Sequence, residues 1–310
     1  MGEASLGKIA AAEQPILKKT SDSSAITVYR SVNGNPAANL EKVIDLLGGI
    51  ERIVGVDDVV VIKPNVQWWN QGASNLAAIR KLVELIMNHP GGFNGEVVLA
   101  ENCHRGSTPW KHAGWAAEFS RNTGLKKINN FNDLSSHLKK KFGNQFSTCH
   151  LINVESSGKR VYGPADGPGY VYCDGTGDVP LIEFDNGAQD VSHRSVIMTY
   201  PIIKTDNGTI IDFKNGIWDK GAYTNQPLKF INFAALNHHS TFCGATSAIK
   251  KTIWESVTLA ADRIRLKTVN LLKNTIIFIR FLLINGNLVH SRVCWVLKWE
   301  NLCTSFVKRT

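Results

Sequence analysis

VVVIKPNVQWWNQGASN, residues 59–75, joins an unbroken β-branched run to a cluster of polar and aromatic groups. Val59, Val60, Val61 and Ile62 carry no polar interruption, the pattern of a strand buried on both faces of a parallel sheet. Lys63, Pro64 and Asn65 follow at once. In an open α/β sheet ligands collect outside the carboxyl ends of the strands, so a lysine and an asparagine beside a proline of fixed φ are placed to meet one. The plainer alternative is a strand that stops at a proline and leaves Lys63 in water.

The flanking sequence alternates as a layered α/β domain does. AITVY, residues 25–29, reads as a first strand, and Asn35-Pro36 opens a helix with Leu40, Val43, Ile44 and Leu47 on one face, closed by Gly48-Gly49. Residues 76–87 return as a helix with Leu76, Ile79, Leu82, Val83 and Ile86 at helical spacing. GEVVLAE, residues 95–101, is a third strand, reached by a right-handed crossover. It too ends in polar residues, Glu101, Asn102, Cys103, His104 and Arg105, so two neighbouring strands would face one crevice; a loop ion pair of His104 and Arg105 with Glu101 is the structural alternative. Helical character continues in parts through residues 110–142, most clearly over 132–142.

GPADGPGYVYCDGTG, residues 163–177, is dense in turn formers and reads as hairpin turns. It matches no phosphate loop and no dinucleotide fingerprint. Asp174 and Asp178 lack the spaced partners of an EF-hand and read as turn aspartates. A second polar concentration begins where the strand at 196–200 runs into Pro201, Ile202, Ile203, Lys204, Thr205 and Asp206, repeating the order strand, proline, lysine. IIDFKNG follows, with Lys214 and Asn215, then FINFAALNHHSTFCGATSAIK, residues 230–250. The adjacent His238 and His239 could supply one metal ligand, although a hydrogen-bonded pair is the plainer reading. Residues 244–247, GATS, would suit a helix start that receives an anion.

The formal charge of +9 invites a nucleic-acid partner, but residues 251–310 carry ten Lys/Arg against three Asp/Glu. The rest of the chain is therefore close to neutral, without a basic stripe interleaved with aromatics, and no nucleic acid is expected. Six scattered cysteines form no Cys-x-x-Cys pair, so no iron–sulfur cluster is expected within the chain. The first residues lack the apolar core of a secretory signal and, with Leu6, the serine or threonine of a myristoylation pattern; cytoplasmic residence is the default expectation. Residues 275–289 are apolar but interrupted by Arg280 and too short to span a membrane.

VVVIKPN, Lys204-Thr205 after a strand and proline, and GATSAIK together resemble the family catalogued as domain of unknown function 362, in which Ile-Lys-Pro-Asn precedes later Lys-Thr and Gly-x-Thr-x-Ala-x-Lys-Asn segments. The resemblance runs over residues 25–250. Family members usually have Lys-Thr-His where this chain has Lys204-Thr205-Asp206, and some carry a ferredoxin-like segment whose cysteines have no counterpart here.

The expected fold is a layered α/β domain with a mostly parallel central sheet, flanking helices and a Gly-rich hairpin insertion, preceded by a flexible lead-in at 1–24. The expected activity is binding or conversion of a small anionic ligand at the strand ends. Lys63 and Lys204 would neutralise its charge, Glu101 or Asp206 would transfer a proton, and Asn65, Lys214, Asn215 and Thr246 would bind it. Glu101, Asp206 and His238 are the candidate metal ligands. A binding protein without turnover, and a partner of an iron–sulfur carrier, remain the alternatives; oligomeric state is open.

The tail raises a separate expectation. All ten prolines and all but one glycine precede Lys251, whereas the sixty residues after Lys250 are basic and without a clear element pattern. Taking the last base of each codon with the first two of the next, codon degeneracy permits the tail to be read as NYLGVSDFSGGSDP from Lys251 onward. Trp254, Trp295 and Trp299 have a single codon and precede Glu255, Val296 and Glu300, so each forces glycine in that frame. Restored, the helix would run GATSAIKNYLG, as in the family. Residues 251–310 are therefore expected to be an out-of-frame tail without native fold, leaving the domain truncated.

Overall fold

The computed structural model describes residues 28–66, 73–103, 115–116, 125–152, 159–177, 179, 181, 183–185, 195–197, 199–238, 245–246, 276–282 and 293–299. In chain order the first half gives β1 (Val28–Ser31), α1 (Pro36–Leu46), β2 (Val59–Pro64), α2 (Leu76–Met87), β3 (Glu96–Cys103), α3 (Phe131–Phe142) and β4 (Phe146–Ile152). The described residues of the second half give the strands β5 (Gly169–Tyr172), β6 (Glu183–Asp185), β7 (Ser195–Ile197), β8 (Thr199–Lys204), β9 (Ile210–Asp212), β10 (Gly216–Asp219), β11 (Ala222–Tyr223), β12 (Leu228–His238), β13 (Ala245–Thr246), β14 (Ile276–Leu282) and β15 (Val293–Trp299).

Each helix starts on an asparagine whose side chain accepts a hydrogen bond from the N–H three residues on: Asn35 from Ala38 at 2.9 Å, Asn75 from Ala78 at 3.1 Å and Asn130 from Asp133 at 2.8 Å. Such a cap satisfies one of the free N–H groups of the first turn and contributes about 1 kcal/mol. Pro36 sits in the first turn of α1, where its missing N–H costs nothing.

The main sheet has the order β1-β15-β14-β12-β2-β3-β4, with β13 against β12. The pairs β14–β12, β12–β2, β2–β3 and β3–β4 are parallel, so the expected α/β layer is present with β2 buried in its middle. All six residues of β2 are buried. Side chains of β2 alternate between two cores. Val60 and Ile62 face the helices with Val97, Leu99, Leu82, Ile86 and Phe131. Val59 and Val61 face a second, antiparallel sheet through Ile203, Ile211, Phe213 and Ile217. Each fully buried aliphatic side chain there contributes roughly 1.5–3 kcal/mol.

The antiparallel sheet has the order β11-β10-β9-β8-β5. The Gly-rich stretch turns through a short 3-10 segment at Pro164–Asp166 and folds back, the Tyr170 N–H donating to the Lys159 carbonyl at 2.8 Å and the Tyr170 carbonyl accepting from the Val161 N–H at 3.0 Å. Its strand β5 also pairs with β8 some thirty residues on. The antiparallel sheet corrects one reading of the sequence. The run 196–200 is divided between β7, paired with β6, and β8, so Lys204 ends an antiparallel strand and not one of the parallel set. The β9–β10 turn needs Gly216, whose φ of 115° lies in the region that side chains disfavour.

Two further findings concern the end of the chain. Ala245–Thr246 pairs antiparallel with Asn237 and His238 of β12, where a helix start was expected. A two-residue bridge beside a long strand satisfies those backbone groups as a helix cap would have done. Two stretches of 251–310, where no native element was expected, join the sheet: β14 runs parallel to β12, and β15 fills the gap between β14 and β1. IIFIRFL and VCWVLKW are apolar and rich in β-branched or aromatic residues, so either can occupy the edge β12 offers.

Candidate functional site

At the carboxyl ends of β2 and β3 the Lys63 ammonium meets the Glu101 carboxylate, Nζ to Oε2 at 2.7 Å. Both residues are 2 % exposed. The apolar run before Lys63 places it at the sheet centre, and register brings β3 alongside, with Ile62 opposite Leu99. On the other side Lys63 pairs with Asn232 of β12, which is fully buried. Asn65, also buried, is fixed by its backbone: its N–H donates to Ser74 Oγ at 2.8 Å, its carbonyl accepts from the Ser74 N–H at 2.9 Å, and the Ser74 hydroxyl donates to the Phe233 carbonyl at 2.6 Å. Ser74 thus ties the end of β2 to β12 just ahead of the Asn75 cap of α2.

One strand further out, His150 of β4 is the register partner of Glu101. Val97, Leu99 and Phe146 lie in the helix-side core, and alternation along the two strands puts Glu101 and His150 on that same face. The imidazole sits 4.1 Å from the ring of Trp115, which is fully buried and meets Phe131 edge-on at 5.9 Å. Burial holds the His150 imidazole below its ordinary pKa, with the Asp206 charge acting in the opposite sense. A half-buried neutral imidazole can both donate and accept a hydrogen bond.

Of the residues expected at the site, Lys63 and Glu101 come into contact, and Asn65 lies two residues further along the chain, bound to Ser74. Asp206 does not join them directly. Its Oδ2 accepts from the Thr148 N–H at 3.1 Å and the Thr148 hydroxyl at 2.6 Å, covering the open edge of β4 two residues before His150. Lys204 is exposed and lies elsewhere. The turn after it docks on Glu96, the first residue of β3, through Asn207 and Thr209. Five residues of strand, about 16 Å, separate Glu96 from Glu101, so the Asn207 and Thr209 contacts are made at the other end of β3 from the Lys63–Glu101 pair. The repeated order of strand, proline and lysine was misleading because β8 belongs to the other sheet.

Lys214 and Asn215 serve the β9–β10 turn. Buried Asp212 accepts from both their N–H groups, at 2.8 and 3.0 Å, and from the Asn215 amide and Tyr223 hydroxyl at 3.0 and 2.6 Å. The Lys214 ammonium lies 5.9 Å from the centre of the Tyr200 ring. Thr246 and His238 are placed by their backbones in the β12–β13 pair. Among the described residues no three metal-ligating side chains gather, and no helix is long and apolar enough to cross a membrane. His104 and Arg105 lie outside the described residues, as do residues 1–24. His150 and Asn232 went unnoticed in the sequence; each is a polar residue breaking an apolar run, in STCHLI and FINFAA, which is the signal that could have found them.

The Asp212 cluster makes a prediction of its own. Burial, and then the hydrogen bond to Asp212, push the Tyr223 phenol up to about 12. Because the folded value lies above the unfolded one of about 10, the folded state holds the proton longer. Its contribution to stability is complete below pH 10 and falls away between about pH 10 and 12. Burial pushes the Tyr200 phenol up further still, so absorbance at the phenolate wavelength is expected to show two late-titrating tyrosines, the earlier of which disappears in Tyr223→Phe.

The fold defines an α/β protein, with the buried Lys63–Glu101 pair near the carboxyl ends of two adjacent parallel strands. No family model and no curated protein matches the chain. A crystal structure of a Thermotoga maritima protein is similar at TM-score 0.40 and 9 % identity, over 85 % of this chain and 55 % of that one. The chain thus spans about half the length of that protein.

Proposed function

We propose that this protein binds and converts a small anionic substrate in the crevice at the ends of β2, β3 and β12, and that it belongs with the domain of unknown function 362 family whose Ile-Lys-Pro-Asn segment it resembles. The observation that carries the reading is the buried Lys63–Glu101 pair at 2.7 Å. Removing an ammonium and a carboxylate from water costs several kcal/mol per ion, and hydrophobic residues of similar size would hold a fold at least as well. An ion pair kept at the place where α/β sheets take their ligands is therefore a functional candidate. Lys63 would neutralise the anion, Glu101 would transfer a proton or hold a divalent cation with the substrate, and Asn65 and Asn232 would orient it by hydrogen bonds.

The test is a thermal-shift screen of orthophosphate, acetate, malonate and succinate, each with and without magnesium or manganese, on the wild-type chain and on Lys63→Met/Glu101→Leu. The double variant removes both charges together and so leaves no buried charge without its partner. Specific binding at a hundred times Kd raises stability by about 2.7 kcal/mol. A rise in the wild type that vanishes in the double variant is the expected result. A rise that survives in the double variant would move the site elsewhere, and no rise with any compound would remove the anion reading.

A further inference from the structure

We propose that His150 is the second recognition group of this crevice, so that its ligand is a difunctional small anion: a charged group at Lys63 and a second polar group at the imidazole. The proposal rests on the crevice reading above and specifies its substrate class. Three adjacent parallel strands, β2, β3 and β4, each carry one chemically capable residue near their carboxyl ends: Lys63, Glu101 and His150. The Lys63 ammonium is drawn toward β3 by its contact with Glu101 at 2.7 Å. Glu101 and His150 are register partners, which places their backbones about 4.8 Å apart, on one face. Glu101 and His150 are thus neighbours on the helix face, and Lys63, which alternates with Val59 and Val61 toward the other face, reaches the Glu101 carboxylate across the strand ends.

The ring is held in place. Trp115 backs it at 4.1 Å and is itself locked against Phe131. Thr148, on the same face two residues earlier, is bound to Asp206, so the strand under His150 is fixed from its outer edge. A side chain held this way keeps its orientation with little entropy left to lose on binding, which is what selectivity between similar ligands requires. A ligand with one charged group engages Lys63 alone. One whose second carboxylate or hydroxyl lies a few bonds away reaches the imidazole as well, and gains a further hydrogen bond in a site of low polarity.

The experiment compares acetate, malonate and succinate by calorimetric titration of the full chain, in the wild type, His150→Phe, His150→Gln and Lys63→Met/Glu101→Leu. Phenylalanine keeps a ring against Trp115 and removes the polar atoms; glutamine keeps a polar end and removes the ring. The wild type is expected to bind a dicarboxylate at least tenfold more tightly than acetate. His150→Phe should bind acetate as before and lose that preference, whereas His150→Gln should recover part of it. A merely structural histidine would affect all three compounds alike. Wild-type binding with no preference for a dicarboxylate, or a preference intact in His150→Phe, would overturn the proposal and leave the anion site standing. Failure of all three compounds on the wild type would overturn both.

Discussion

Lys63→Met alone is expected to destabilise the protein by about 3–5 kcal/mol, because it leaves the Glu101 carboxylate, 2 % exposed, without the ammonium 2.7 Å away. A lysine at a strand end reads from sequence as a ligand-facing charge outside the core, whose removal should cost binding and spare the fold. Burial reverses that expectation. The loss is expected to appear in urea or thermal unfolding as a fall in Tm of roughly 10 °C. Lys63→Met/Glu101→Leu should recover most of it, since removing both charges also removes their desolvation cost. A single variant as stable as the wild type would mean that Glu101 exchanges Lys63 for another partner at no cost.

The largest effect is expected at the tail. We propose that residues 251–310 stand in place of a differently framed sequence. β1 pairs with β15, and β12 with β14 on the side away from β2. A chain ending at Lys250 would strip β1 of that partner and expose the seven-residue edge Phe230–Leu236 of β12. Long apolar edges pair with one another, so this truncated chain is expected to aggregate and to show no cooperative unfolding. A chain continuing as NYLG in the shifted frame should unfold cooperatively and at higher temperature than the chain with its present tail. Limited proteolysis supplies the opposing result: if the present chain resists cleavage through residues 276–299, and the shifted-frame chain is no more stable, the frame proposal fails. Resequencing the DNA around Lys250 decides its origin.

What the sequence determined by itself was the local and the periodic. Helix α2 was legible residue for residue, because five apolar side chains at helical spacing and Asn75 before them permit little else. The strand at 59–62 was legible as the buried centre because an unbroken β-branched run has no other stable home. That Lys63 and Glu101 would lie near each other was legible because both follow apolar runs on neighbouring strands. Tertiary structure alone decided what depends on pairing between distant segments. VIMTY followed by PIIK looks like another parallel strand, yet it contributes to two antiparallel ones; both kinds show the same apolar run when one face meets the core and the other packs with Val161, Val171 and Val179. His150 gained its place from the register of β4 on β3, which no local pattern encodes, and Asn232 from the insertion of β12 beside β2, 169 residues away by the pairing of Asn232 with Lys63. Side-chain period fixes which residues share a face, but only strand order fixes which faces meet.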